Sequence, residues 1–138
     1  LPINNPFLNN PDFEKAIKII NEAINKKSKI LIIGDYDVDG CVSTSLLKNF
    51  FKLININADF YIPNRFNDGY GASLGLIKKL IKKKPDLVIM LDCGSNSVEA
   101  VNYLKKNKTQ VIIIDHHEIY KPYPNAECLI NPKKKCEI

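Results

Sequence analysis

The sequence predicts an α/β fold: a doubly wound, mainly parallel sheet of four to five strands with helices on both faces. Short runs rich in Ile, Val and Leu recur along the chain, and such runs are typical of strands buried on both faces. Between them lie segments whose apolar residues recur at helical spacing. Strands that alternate with helices at this interval form parallel sheets. The 138 residues correspond to one domain.

The elements alternate from the N-terminus onward. Asn10 is placed to cap the first helix, and Pro11 suits the first helical position. The second helix carries an apolar stripe, and Asn96 is placed to cap the fourth helix. We expect strands over 30–33, 58–62, 87–91, 111–114 and 129–130, and helices from Pro11, from about Gly40 to residue 54, from Leu74 and over 98–106.

Composition narrows the class of protein. The formal net charge of +5 comes almost wholly from lysine, since Arg65 is the only arginine, and this mild basic excess permits a polyanionic partner. No apolar run approaches the roughly 20 residues of a membrane span. No C-x-x-C spacing is present, so we expect reduced thiols in a cytoplasmic protein. The four cysteines are Cys41, Cys93, Cys128 and Cys136.

Three carboxylates follow the first strand at every second position: Asp35, Asp37 and Asp39. Ionised groups this close together repel one another, and they are costly to desolvate at the end of a buried strand. A helix cap explains one of them, with Asp39 or Gly40 at the N-terminus of the second helix. It does not explain three, so this stretch predicts a bound cation.

Other polar residues follow the remaining strands. Arg65 comes after the second strand, Asp92 after the third, and Asp115, His116 and His117 after the fourth. The carboxyl ends of parallel strands share one edge, so we expect these side chains to meet there. Arg65 is either a solvated loop charge or a guanidinium that holds a phosphate.

Asp68 lies in the loop between the second strand and the third helix. It is most simply explained as part of a turn that caps the third helix.

Carboxylates with one or two imidazoles suit Mn²⁺ or Mg²⁺ better than zinc. The acids are too many for one ion, which favours two metals ~3.5–4 Å apart that share a carboxylate. Such a pair activates water for attack at phosphorus. From the residues alone, the sequence therefore predicts a metal-dependent phosphoesterase.

The motifs resemble those of the DHH phosphoesterases and, more narrowly, of the RecJ-type single-stranded-DNA exonucleases. The resemblance covers essentially the whole chain, with the motifs in order. Its segments are Gly-Asp-Tyr-Asp-Val-Asp-Gly at 34–40, Leu-Asp-Cys-Gly at 91–94, Asp-His-His at 115–117, Pro-Asn-Arg-Phe at 63–66, Asp-Gly-Tyr-Gly at 68–71 and Asn-Pro-Phe-Leu at 5–8.

The resemblance implies a 5′-to-3′ exonuclease that releases mononucleotides from single-stranded DNA in recombination and repair, with Mn²⁺ or Mg²⁺. It implies that Asp37 and Asp39 are ligands of the two metals and that Asp92 bridges them. His116 becomes a ligand, supported by the neighbouring Asp115, and His117 faces the scissile phosphate. Many superfamily members carry a histidine where this chain has Ile33, and Asp35 is the candidate substitute.

The resemblance also implies that residues 1–138 form the N-terminal part of a DHH phosphoesterase domain. Relatives of the RecJ type continue into a fourth motif with another metal-binding Asp, and then into a domain that helps bind DNA. We therefore expect this chain by itself to take up metal weakly and to have little or no nuclease activity.

Three alternatives stay open. A DHH relative could act on oligonucleotides, cyclic dinucleotides or pyrophosphate. A haloacid-dehalogenase-type phosphatase would use Asp35 and Asp37 but needs a later catalytic Lys. A signalling receiver domain also pairs acids after the first strand with an Asp after the third, and phosphorylation of Asp92 by acetyl phosphate would single it out.

Overall fold

The computed structural model describes residues 2–135 and contains the predicted alternation of strands and helices. The order along the chain is α1 (Pro11–Asn25), β1 (Ile30–Ile33), α2 (Val38–Leu53), β2 (Asp59–Tyr61), α3 (Leu74–Leu80) with a 3₁₀ turn (Ile81–Lys83), β3 (Leu87–Leu91), α4 (Val98–Lys106), β4 (Gln110–Ile114) and β5 (Cys128–Ile130).

The five strands form one parallel sheet in the order β2-β1-β3-β4-β5, which confirms the predicted fold class. β1 and β3 lie at its centre, and every residue of both strands is buried. α3 and α4 pack on one face, and α1 with Phe51 of α2 packs on the other. The strand order reverses between β1 and β3. At such a switch point the flanking connections separate and leave a crevice at the carboxyl ends of the strands.

α1 begins as the sequence predicts and joins the two ends of the described chain. The side-chain oxygen of Asn10 accepts hydrogen bonds from the amides of Asp12 and Phe13, at 2.9 and 3.3 Å. Asp12 Oδ2 accepts from the Leu129 amide of β5 and from Lys134 Nζ, each at 3.0 Å. Because these partners lie more than a hundred residues from Asp12, they fix α1 to the far edge of the sheet.

The start of α2 differs from the prediction. The helix begins at Val38, and its N-cap is Asp37 rather than Asp39 or Gly40. The predicted apolar stripe is present, but only Phe51 is fully buried and Leu47 packs partly against the core. The other stripe residues are half exposed or more, namely Val42, Leu46 and Phe50. The helical periodicity thus predicted the apolar face of α2 correctly, but it did not predict that most of this face is exposed.

Two helix caps also differ. α3 is capped by Ser73, whose hydroxyl accepts from the Leu76 amide, and not by Asp68. α4 has Ser97 at its N-cap position. Asn96, the predicted cap, instead bonds to the loop after β4: it donates to the Glu118 carbonyl and accepts from the Tyr120 amide.

The described cysteines are free thiols, as predicted: Cys41, Cys93 and Cys128. The fourth, Cys136, lies outside the described residues. No helix in the described part of the chain is long and apolar enough to cross a membrane.

Candidate metal centre

The carboxyl ends of β1, β3 and β4 bring most of the predicted site residues together. Two sets each place one potential ligand atom per residue within 4.8 Å of the others. One set comes mainly from the end of β1 and the other from the loop after β4. The first set is Asp35, Asp37 and Asp92, and the second is Asp92, His116 and His117. Asp92 belongs to both.

Asp37 is fixed by the start of α2. Its Oδ1 accepts a hydrogen bond of 2.8 Å from the Gly40 amide, and this bond lowers the pKa of the Asp37 carboxyl. Asp35 precedes it and is only 1% exposed, with its Oδ1 2.8 Å from the Tyr36 amide. Gly40 allows the helix to approach this turn, because a Cβ there would lie 2.3 Å from the Asp35 carbonyl oxygen. Both carboxylates are therefore held by backbone.

Asp92 has the least compensated charge in the centre. Its carboxylate oxygens are buried, and no hydrogen bond of good geometry reaches them from the described residues, although His116 Nε2 lies 2.7 Å from Oδ1. Burial, together with the neighbouring Asp37, raises the pKa of Asp92 to about 6. Its φ of +59° is strained for a residue with a side chain. Orphaned buried oxygens beside further carboxylates and an imidazole suit a divalent cation.

Asp115 orients His117. Its Oδ1 lies 2.7 Å from His117 Nδ1 and accepts from the His116 amide at 2.8 Å, while Oδ2 accepts from the Ser95 amide at 3.1 Å. Burial opposes the charge of Asp115, but hydrogen bonds from Ser95 and His117 outweigh it and lower the pKa of this carboxyl. The same contact raises the pKa of His117. The pair is held in one geometry by the Ser95 and His116 amides and by the contact between the Asp115 carboxylate and the His117 ring.

Three contributors to this site were missed by sequence reasoning. The Tyr70 hydroxyl lies 2.9 Å from His117 Nε2, on the side of the ring away from Asp115. The Asn131 side chain donates to Ser95 Oγ at 2.8 Å and to the His117 carbonyl at 2.9 Å. For Tyr70 the signal was its place between two glycines, which indicates a loop whose backbone adopts conformations that other residues rarely adopt. For Ser95 and Asn131 the sequence offers no comparable signal.

Two predicted residues lie outside both ligand sets and outside the Asp115–His117 pair. Asp39 is in the first turn of α2 and is exposed. Arg65 is exposed in the turn after β2, where it forms no hydrogen bond or ion pair with the residues described. Their roles in binding metal and phosphate stay predictions.

A cleft of about 560 Å³ opens beside His117 between the N-terminal ends of α3 and α4. Its lining is mostly small or polar and includes Tyr70, Ser97 and Asp115. Pockets of this volume accommodate small-molecule ligands. The metal centre therefore adjoins a space large enough for a nucleotide.

Comparison with known proteins gives the same assignment from sequence and from structure. The profile of the DHH family, N-terminal domain, matches residues 29–137. The single-stranded-DNA-specific exonuclease RecJ of Bacillus subtilis strain 168 is 35% identical over 121 residues, covering 88% of this chain and 15% of that protein. RecJ of Escherichia coli K12 is 34% identical, over 86% of this chain and 21% of that protein.

Solved structures agree. An exonuclease RecJ bound to manganese superposes with a TM-score of 0.84 at 26% identity, covering 94% of this chain and 33% of that one. RecJ of Thermus thermophilus in complex with Mn²⁺ has the same fold, with a TM-score of 0.79 at 24% identity over 95% of this chain and 18% of that one. The chain thus spans about a fifth of the length of its curated relatives. By its sequence, and with the fold and motif geometry described above, this chain belongs to the DHH family.

Proposed function

We propose that this chain is the N-terminal part of the catalytic domain of a metal-dependent 5′-to-3′ exonuclease that hydrolyses phosphodiester bonds of single-stranded DNA in recombination and repair. The observation that carries the proposal is that Asp92 belongs to both ligand sets. A carboxylate shared in this way is the arrangement that two-metal phosphoesterases need. The substrate follows the names of the relatives, which are single-stranded-DNA-specific exonucleases.

The residues fit two Mn²⁺ or Mg²⁺ ions. Asp35 and Asp37 would hold one ion, His116 would hold the other, and the orphaned oxygens of Asp92 would bridge them. Asp39 is the candidate for a further ligand. When bound, such a pair supplies positive charge opposite the reacting phosphoryl group and lowers the pKa of water.

The remaining residues orient the substrate and the proton transfers. Asp115 accepts from His117 Nδ1, and the opposite edge of the ring, where Nε2 meets the Tyr70 hydroxyl, lies at the cleft in which we place the scissile phosphate. Because the pKa of His117 is raised, its imidazolium form persists closer to neutral pH and attracts the phosphate. Arg65 would hold a further phosphate through its guanidinium.

We also propose a cytoplasmic location. The three free thiols support it, since a reducing compartment maintains them.

A nuclease assay tests the proposal. Full-length protein is incubated with 5′-labelled single-stranded and double-stranded DNA, with Mn²⁺, with Mg²⁺ and with a chelator. We expect mononucleotides released from the 5′ end of the single strand only when metal is present. Cleavage of cyclic dinucleotides or pyrophosphate with DNA left intact would contradict it, as would transfer of a phosphoryl group from acetyl phosphate to Asp92.

A further inference from the structure

The loop between β2 and α3 carries Tyr70, whose hydroxyl contacts His117 Nε2 at 2.9 Å. The Tyr70 ring also meets the rings of Tyr36 and His117 edge-on, with centroids 6.3 and 5.9 Å away. Tyr70 lies between Gly69 and Gly71, whose φ values are +75° and +63°. Glycine is the most flexible residue, so the two neighbours cannot by themselves hold this ring in one place.

A fixed point precedes the first glycine. The Asp68 side chain is 3% exposed although the loop around it faces solvent. Its Oδ2 accepts from the Tyr61 hydroxyl at 2.7 Å and from the Asn64 amide at 2.8 Å, and its Oδ1 lies 3.6 Å from Lys79 Nζ. The hydrogen bonds from Asn64 and Tyr61 lower the pKa of this carboxyl, so it is charged at neutral pH.

The backbone of Asp68 is tied as well. Its amide donates to the Asn64 carbonyl at 2.8 Å, and its carbonyl accepts from the hydroxyl of Ser73, the N-cap of α3. One residue thus joins the end of β2, the start of the loop and the start of α3. Gly69 and Tyr70 lie in the loop segment that runs from Asp68 to the start of α3.

We infer that Asp68 is a positioning residue, which acts on the reaction through Tyr70: its carboxylate fixes the loop so that the Tyr70 hydroxyl reaches His117. Asp68 belongs to neither ligand set and is not among the residues that line the cleft. The catalytic part of this inference rests on the proposed function. The geometric part, which is that Asp68 places the Tyr70 ring, does not.

The geometric part is tested without metal or DNA. Full-length protein is labelled with 3-fluorotyrosine, and the ¹⁹F resonance of Tyr70 is assigned by its loss in Tyr70→Phe. Asp68→Ala should move this resonance toward the value of an unfolded chain, because the ring leaves its two aromatic neighbours. The control is Lys79→Met, which removes only an exposed ion pair of little energetic weight and should leave the resonance in place.

The catalytic part is tested by a double-mutant cycle on single-turnover DNA cleavage. Asp68→Ala should lower the rate about tenfold, the equivalent of one hydrogen bond, with Mn²⁺ affinity unchanged. In the Tyr70→Phe background the same substitution should cost less than about twofold, whereas a purely structural residue would cost the same in both backgrounds.

If Asp68→Ala does not fold, both experiments use Tyr61→Phe in its place. This variant removes one hydrogen bond of the Asp68 carboxylate. An unmoved Tyr70 resonance, or equal losses in the two backgrounds, overturns the inference. Absence of DNA cleavage by the unmodified protein overturns the proposed function and the catalytic part, and the ¹⁹F spectrum still decides whether Asp68 places Tyr70.

Discussion

The two sides of the metal centre hold their charges by different means. On the β1 side, Asp37 is stabilised by the amide of Gly40 at the positive end of α2. On the β4 side, Asp115 is stabilised by hydrogen bonds from Ser95, His116 and His117. One side depends on a single amide at a helix terminus, and the other on the Ser95 and His116 amides together with the His117 ring. Both lower the pKa of the carboxyl that they hold.

Asp92 lies between the two sides and has neither kind of support. Its pKa is raised rather than lowered, because it is buried beside Asp37 without well-aligned donors. The uncompensated charge therefore falls on the carboxylate common to both ligand sets, where binding of a cation is most favourable. The unfavourable electrostatic energy of this centre is thus greatest at Asp92.

Asp92→Asn should have the largest effect. Loss of the shared charge should reduce Mn²⁺-dependent hydrolysis by the full-length protein below about a hundredth of wild type, since the ions contribute several kcal/mol. Steady-state assays measure the loss, and circular dichroism checks that the fold survives. Turnover at the wild-type rate would rule out the bridging role.

The stability of the same variant, Asp92→Asn, at different pH values tests whether the pKa of Asp92 is raised. A carboxyl whose folded pKa is raised to about 6 favours the fold at low pH, and this contribution is lost as pH rises through about 6. Metal-free Asp92→Asn should therefore melt above wild type at pH about 7.5, and the gap should shrink at pH about 5. Melting curves at both pH values check this. A gap that widens on acidification would contradict the raised pKa.

Asp115→Asn tests the β4 side through the contact between this carboxylate and the His117 ring. We expect a loss of about a hundredfold in kcat, because His117 loses the charge that orients it and stabilises its protonated form. Mn²⁺ affinity should change far less than in Asp92→Asn, because Asp115 lies outside both ligand sets. Calorimetric titration beside the kinetic assay separates the two. Equal losses of metal affinity in both variants would place Asp115 among the ligands.

Gly40→Ala tests the backbone support of the β1 side. The new Cβ would lie 2.3 Å from the Asp35 carbonyl oxygen, so the turn must shift and the free energy of unfolding should fall by about 2 kcal/mol. Gly75→Ala in α3 is the matched control. Nothing lies within 4 Å of its Cβ, and the change should raise stability by about 0.5 kcal/mol. Urea denaturation of both variants measures the difference, and equal stabilities would contradict the close approach.

Arg65→Ala should have the smallest effect. If the guanidinium holds one phosphate, single-stranded DNA binding should weaken by less than about tenfold, and the slope of log affinity against log salt should drop by about one. Lys82→Ala, in the exposed turn after α3, removes the same charge elsewhere and should leave the slope unchanged. Fluorescence anisotropy over a salt series measures both. An unchanged slope in Arg65→Ala would make it a solvated loop charge.

The sequence allowed the sheet, and the meeting of most candidate ligands at its edge, to be predicted for one physical reason. Parallel strands are buried on both faces, so their apolar runs mark their ends closely, and the site follows directly from those ends. β1 and β3 match their predicted bounds, and Asp92 lies where the end of β3 requires.

The misses have a different cause. Asp37, Asp39 and Gly40 can each cap a helix, and only the packing of α2 on the Asp35 turn selects Asp37. The contact between Tyr70 and His117 spans 47 residues, and the contact between Ser95 and Asn131 spans 36. Local pattern carries no information on side chains that meet across such separations.

The link between Asp12 and Leu129 has a consequence for how the protein is made. Because 117 positions separate the two, the ribosome needs on the order of ten seconds after it has added Asp12 before it adds Leu129. During that interval, α1 lacks the strand edge against which it packs. In a nascent chain, the part of α1 that packs against β5 therefore stays uncovered until β5 has emerged, and chaperones have the opportunity to bind it there.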